Sequence, residues 1–154
     1  MAAAAALLVL AGACASGGDD HAGRKATKRP ATCKPVGDIS TATGAVNVAV
    51  SEWFVKPDAG SVPGGTVAFT VRNDGDENHE FVIVNGVAPN SLPRKKDGSL
   101  DEDALPPGAL AGEVEEFAPG TTCAGVFALT PGDYTLLCNV VEKEEATSTS
   151  RKAW

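Results

Sequence analysis

Methionine occurs once and histidine twice in this chain of 154 residues, and aromatic side chains make up only 5% of it. So few aromatics leave little for stacking on bases, and 20 Asp and Glu against 13 Lys and Arg repel a phosphate backbone, so nucleic acid is not an expected partner. No apolar run reaches the about 20 residues that a bilayer-spanning helix needs. The longest, Ala2 to Ala13, fits instead the apolar core of an export signal. The acidic stretch Asp97 to Asp103 lacks the alternating Asp-x-Asp-x-Asp-Gly spacing of a calcium loop. No candidate nucleophile is accompanied by an orienting third residue or an oxyanion motif, so enzymatic activity is not expected.

What the chain has in quantity is turn and strand chemistry. With 17 glycines, 10 prolines and many Val and Thr, short strands joined by turns are favoured over helices. The length suits one domain of about 100 residues with flanking segments. Val46, Val48 and Val50 alternate with polar or small residues, as do Val67, Phe69 and Val71 within Thr66 to Asn73, the period of a half-buried strand. Trp53 and Phe54 are expected to cap one end of the core. Lys56 to Gly60 and Val62 to Gly65 carry turn residues. His79 falls at a loop-to-strand junction, with Phe81 and Ile83 continuing on its side.

Gly86 to Gly112 is proline-broken and charged, and is read as a solvated surface loop that can serve as a salt-dependent docking surface. Glu113 to Phe117 and Cys123 to Leu129 read as further strands. Pro131-Gly132-Asp133 then turns the chain into Tyr134, Leu136, Cys138 and Val140. The fold class is all-β, and strands at this spacing suggest a Greek-key sandwich of two sheets.

Three stretches carry a family resemblance: Gly65-Thr66-Val67-Ala68-Phe69-Thr70-Val71-Arg72-Asn73, then His79-Glu80-Phe81-Val82-Ile83, then Pro131-Gly132-Asp133-Tyr134-Thr135-Leu136-Leu137-Cys138. In order and spacing they resemble the cupredoxin, or type 1 blue copper, family. The likeness covers roughly residues 44–141. It implies a copper cofactor at a single type 1 site, outer-sphere electron transfer outside the cytoplasm, and His79 and Cys138 as metal ligands. Imidazole and thiolate are the donors that copper prefers.

A site of this kind uses two imidazoles and one thiolate, usually with a weak axial thioether. In the family the second His and the Met follow the cysteine within a short loop. Here residues 139–154 contain neither, and the final strand that normally closes the sheet is also missing. An open sheet edge of that kind invites pairing with another strand. Glu142, Glu144 or Glu145 could approach a Cu(II) held by His79 and Cys138, although hard oxygen donors disfavour Cu(I). From Ala146 the chain turns abruptly to Thr, Ser, Arg and Lys. Read from the third base of Ala146, its codons permit His-Val-Asp-Glu-Ser. A frameshift near Glu145 that replaces the ligand loop and last strand is therefore expected, and sequencing the DNA in all frames tests it.

At the other end, Ala11-Gly12-Ala13-Cys14 resembles a bacterial lipobox, with Cys14 as the lipid attachment site; a plain cleaved signal is the alternative. No Lys or Arg precedes the apolar run, which points to a start lying upstream. Residues 1–13 are thus read as a leader, 14–43 as a flexible linker, 44–141 as the domain and 142–154 as an aberrant tail. As a coil, about 20 linker residues would reach ~25 Å from a membrane surface. His21 reads as a solvated linker residue.

With Cys14 lipidated, Cys33, Cys123 and Cys138 remain, an odd number for an exported protein. The expected pairing is Cys33 with Cys123, which would leave Cys138 free for metal; the rival pairing, Cys123 with Cys138, would remove the ligand. The expected protein is a monomer, membrane-tethered through Cys14 or else secreted or periplasmic, with a redox protein as partner. The competing reading is a metal-free β-sandwich that binds a partner at the cell surface.

Overall fold

The computed structural model describes residues 31–141, and within them the structure is strands, turns and three short 3-10 segments. The first sheet is built from β1 (Gly44–Ser51), β2 (Phe54–Pro57), β3 (Gly65–Asn73) and β6 (Thr122–Leu129) in the order β2-β1-β3-β6. β4 (His79–Asn85), β5 (Leu110–Phe117) and β7 (Tyr134–Leu137) form the second, in the order β5-β4-β7. β1 runs parallel to β3, and every other pairing within the sheets is antiparallel. From β3 the chain crosses to β4 and β5 and returns as β6 beside β3, the Greek-key path. The all-β sandwich read from the sequence is the architecture found.

Strand periodicity builds the space between the sheets. Val46, Val48 and Val50 of β1 and Val67, Phe69 and Val71 of β3 all point inward and are buried. They meet Phe81 and Ile83 of β4, with the Phe69 and Phe81 rings 5.3 Å apart across the gap. Phe127 fits only because its neighbours are small. A Cβ at Gly125 would lie 2.5 Å from its ring, and one at Gly112 would collide with the ring in the same way.

β4 is buried on both faces. Phe81, Val82, Ile83 and Val84 are all fully enclosed, which is why this strand reads as a continuous apolar run and not as an alternation. Val82 and Val84 point away from the main core and are covered by Leu92, Leu100 and Ala109 from residues 86–109. That segment is therefore not the purely solvated loop its charges suggested. Its few apolar side chains are spaced to fold back over β4, and it is stitched down where the Leu100 N–H donates to Asn139 Oδ1 and Asn139 Nδ2 donates to Glu102 Oε1 at 3.2 Å. β5 accordingly begins at Leu110, three residues before the stretch that read as a strand.

Two other expectations need correction. Trp53 is 90% exposed and Phe54 44% exposed, so neither caps the core. The inward alternation ends at Ser51, and the tight turn into the edge strand β2 leaves both rings outside. Residues 31–43, assigned to the flexible linker, lie against the sandwich. Val36 donates to Ala124 O at 3.0 Å and accepts from Val126 N–H at 2.8 Å, Lys34 pairs with Glu115, and Cys33 is disulfide-bonded to Cys123 with Cα atoms 5.4 Å apart. An isolated bridge, scattered hydrogen bonds, an ion pair and a covalent link hold this segment, so it carries no strand periodicity to read. The leader, Cys14, His21 and the tail from Glu142 lie outside the described residues. β7 is an edge strand whose outer side nothing pairs with among the described residues; the expectation that the last strand is missing rests on residues outside them.

Candidate metal centre

The loop 74–78 delivers His79 to the second sheet, and the fully buried Asn73 holds that loop in shape. Its Nδ2 donates to Glu77 O at 2.8 Å and to Phe117 O at 3.1 Å, while its Oδ1 accepts from Gly75 N–H at 2.9 Å. His79 enters β4 only 6% exposed. The register that places Val82 opposite Leu137 brings the residue after β7 alongside the start of β4. Cys138 Sγ consequently sits 3.3 Å from His79 Nδ1, across 59 residues of chain.

Two carboxyl groups lie near this pair. On the far side of the ring, Glu52 Oε1 lies 3.4 Å from His79 Nε2 and accepts from the backbone N–H groups of Asp76 at 2.7 Å and Glu77 at 3.0 Å. Hydrogen bonds from its own backbone N–H, from Glu77 and from Asp76 hold the Glu52 carboxyl down at about 2. The second group is Glu80. Burial, reinforced by the nearby charges of Glu113 and Glu102, pushes its carboxyl up to about 7, and its buried Oε1 has no hydrogen-bond partner.

The sulfur has a mixed environment. Glu80 N–H donates to Sγ at 3.5 Å. Burial raises the Cys138 thiol above its usual value and outweighs the backbone N–H groups of Val140 and Glu80, which favour the thiolate. The thiol therefore stays protonated at neutral pH, and binding a cation would release that proton. A cavity of about 360 Å³ opens over the pair, bounded by Glu52, Glu77 and Val140, with Trp53 at its rim.

The donor set fits a copper or zinc ion in part. One soft and one borderline donor face each other in a buried, N–H-lined niche. At 3.3 Å the two donor atoms are already close enough together for one ion to be held by both. A third donor is not built: among the described residues no group of three or more His, Cys, Asp or Glu is placed to hold a metal. Glu52 cannot fill that position, because it faces Nε2, the opposite nitrogen from the one beside sulfur. Glu142, Glu144 and Glu145, the acids the sequence offered, lie outside the described residues.

Of the sequence-assigned residues, His79 and Cys138 are brought together, Cys33 and Cys123 are bonded to each other, and Cys138 is free. The contributions of Glu52 and Gly75 had no sequence signal, because both act through contacts between segments, at no fixed spacing from the ligands. Glu80 stands next to His79 in the motif His79 to Ile83, but its burial could not be read there.

Fold and site together define a two-sheet β-sandwich in which a buried imidazole meets a half-buried thiol. No family model and no curated protein matches the chain. Among solved structures it is similar to the crystal structure of sodium-dithionite-reduced auracyanin, a cupredoxin, from the photosynthetic bacterium Roseiflexus castenholzii, at 25% identity. The match covers 65% of this chain and 86% of that one, with a TM-score of 0.43. At that score the likeness adds nothing to the fold argued from the strands themselves.

Proposed function

We propose that this chain is a copper-binding, cupredoxin-like electron carrier that works outside the cytoplasm and has no catalytic activity of its own. The observation that supports this most is the approach of His79 Nδ1 to Cys138 Sγ at 3.3 Å, between residues that no local structure would bring together. His79 and Cys138 would hold the ion, which when bound supplies a one-electron couple. The protein's part is rigidity. Asn73 fixes the loop that carries His79, and the sheet pairing fixes the approach of Cys138, so little would have to move when charge changes. Trp53 beside the cavity offers an apolar contact for a redox protein partner. The Cys33–Cys123 disulfide suits an oxidising compartment, and Cys14 remains the proposed lipid tether.

Adding Cu(II) to the purified protein tests the reading. An intense thiolate-to-copper visible band that disappears in Cys138→Ser is the expected result. A second reading, a metal-free sandwich that binds a surface partner, is favoured by the absence of a third donor among the described residues. A correctly folded protein with no visible band would select it.

A further inference from the structure

Glu52 has a role that the ligand pair alone does not explain. It leaves the β1–β2 turn, 27 residues from His79, and its Oε1 is fixed by the two backbone N–H groups of Asp76 and Glu77 while facing His79 Nε2 at 3.4 Å. A carboxylate can only accept, so the ring proton belongs on Nε2 and the lone pair on Nδ1, the nitrogen that faces Cys138. Gly75 makes the approach possible. A Cβ there would fall 2.7 Å from His79 Nε2 and 2.8 Å from Glu52 Oε2, and closer still to Oε1. The loop therefore has no side chain at the one place where a side chain would separate the carboxylate from the ring.

We infer that Glu52, admitted by Gly75, is a positioning residue that selects the His79 tautomer and aims Nδ1 at the metal position. The inference rests on the proposed function for its metal consequence but not for its tautomer consequence. Second-sphere acceptors of this kind commonly change metal affinity by about 10–100-fold. The Cys138 thiol, on the other side of the ring, is the competing cause of the same tautomer, and a variant can remove it separately.

The experiment is a long-range proton–nitrogen correlation spectrum of the metal-free full chain at pH about 8.5, where an imidazole is neutral. With only two histidines in the chain, a His21→Gln variant assigns the signals. In the parent chain and in Cys138→Ala, His79 should carry its proton on Nε2. In Glu52→Ala and in Gly75→Ala the Nδ1-protonated form should appear, and Cu(II) affinity should fall by about 10–100-fold. Glu52→Gln should restore the parent tautomer, since its amide oxygen still accepts. Two independent routes to the same loss guard against one variant failing to fold, which an amide spectrum reveals.

A proton on Nδ1 in the parent overturns the inference, as does a tautomer unmoved by both Glu52→Ala and Gly75→Ala, or one lost in Cys138→Ala. A parent that shows the Nε2 proton and the expected response to Glu52→Ala but gives no copper band supports the positioning role and overturns the metal reading alone.

Discussion

The two sheets of this sandwich solve different problems. The four-stranded sheet has paired strands with regular register, and its inward side chains are Val, Phe, Cys and Leu, packed so closely that Gly125 of β6 leaves no room for a Cβ. The three-stranded sheet is irregular. β4 and β5 slip register between His79 and Phe81 and again between Ile83 and Val84, and the carboxyl of Glu80 is buried with one oxygen unpaired. Both sheets contribute to the shared core, and the imidazole–thiol pair sits where the second departs from regular pairing.

That contrast can be broken most severely from the first sheet. Phe69→Ala should cost about 3–5 kcal/mol in denaturant unfolding, because the ring touches both Phe81 and Phe127 and the space cannot close. If the copper band survives in the fraction that stays folded, the division of labour holds. Removing both Cys33 and Cys123 by replacement with Ala should cost about 2–5 kcal/mol, since the bond closes a loop with a sequence separation of 90. The visible band should persist, because Cys138 is not part of that bond.

Glu80 sharpens the comparison through pH. Its carboxyl is raised from 4.5 to about 7, so the folded state holds its proton more tightly than the unfolded state. Stability from this group is fullest below pH 4.5 and is lost as pH rises through 7. Glu80→Gln in the metal-free protein should match the parent in acid and exceed it by about 1–2 kcal/mol at pH about 8, a figure reduced for solvent screening. Equal stability at both pH values would mean that Glu80 is not desolvated. The smallest effect is expected at Trp53, 90% exposed: Trp53→Ala should change folding stability by less than about 0.5 kcal/mol while weakening association with a redox partner.

The same contrast explains what could be read from the chain beforehand. β1, β3 and β6 each bury one face, so period two marks them directly, and Pro131 to Cys138 supplied the turn and the thiol. β4 is covered on both sides, so its outer cover from Leu92, Leu100 and Ala109 was hidden inside a segment that looks charged. Trp53 and Phe54 were misplaced because an apolar pair next to a strand is indistinguishable in sequence from a cap; only the turn after Ser51 turns them outward. Glu52 and Gly75 meet His79 through the folding of two loops, a coincidence that no spacing rule encodes.

The most direct test of the central claim is a visible-absorption titration of the folded chain with Cu(II), run beside Cys138→Ser and His79→Ala. An intense thiolate-to-copper band at one equivalent in the parent, lost in Cys138→Ser and weakened or shifted in His79→Ala, is the predicted result. A parent chain that stays folded and colourless, or a band that persists without the Cys138 sulfur, would contradict it.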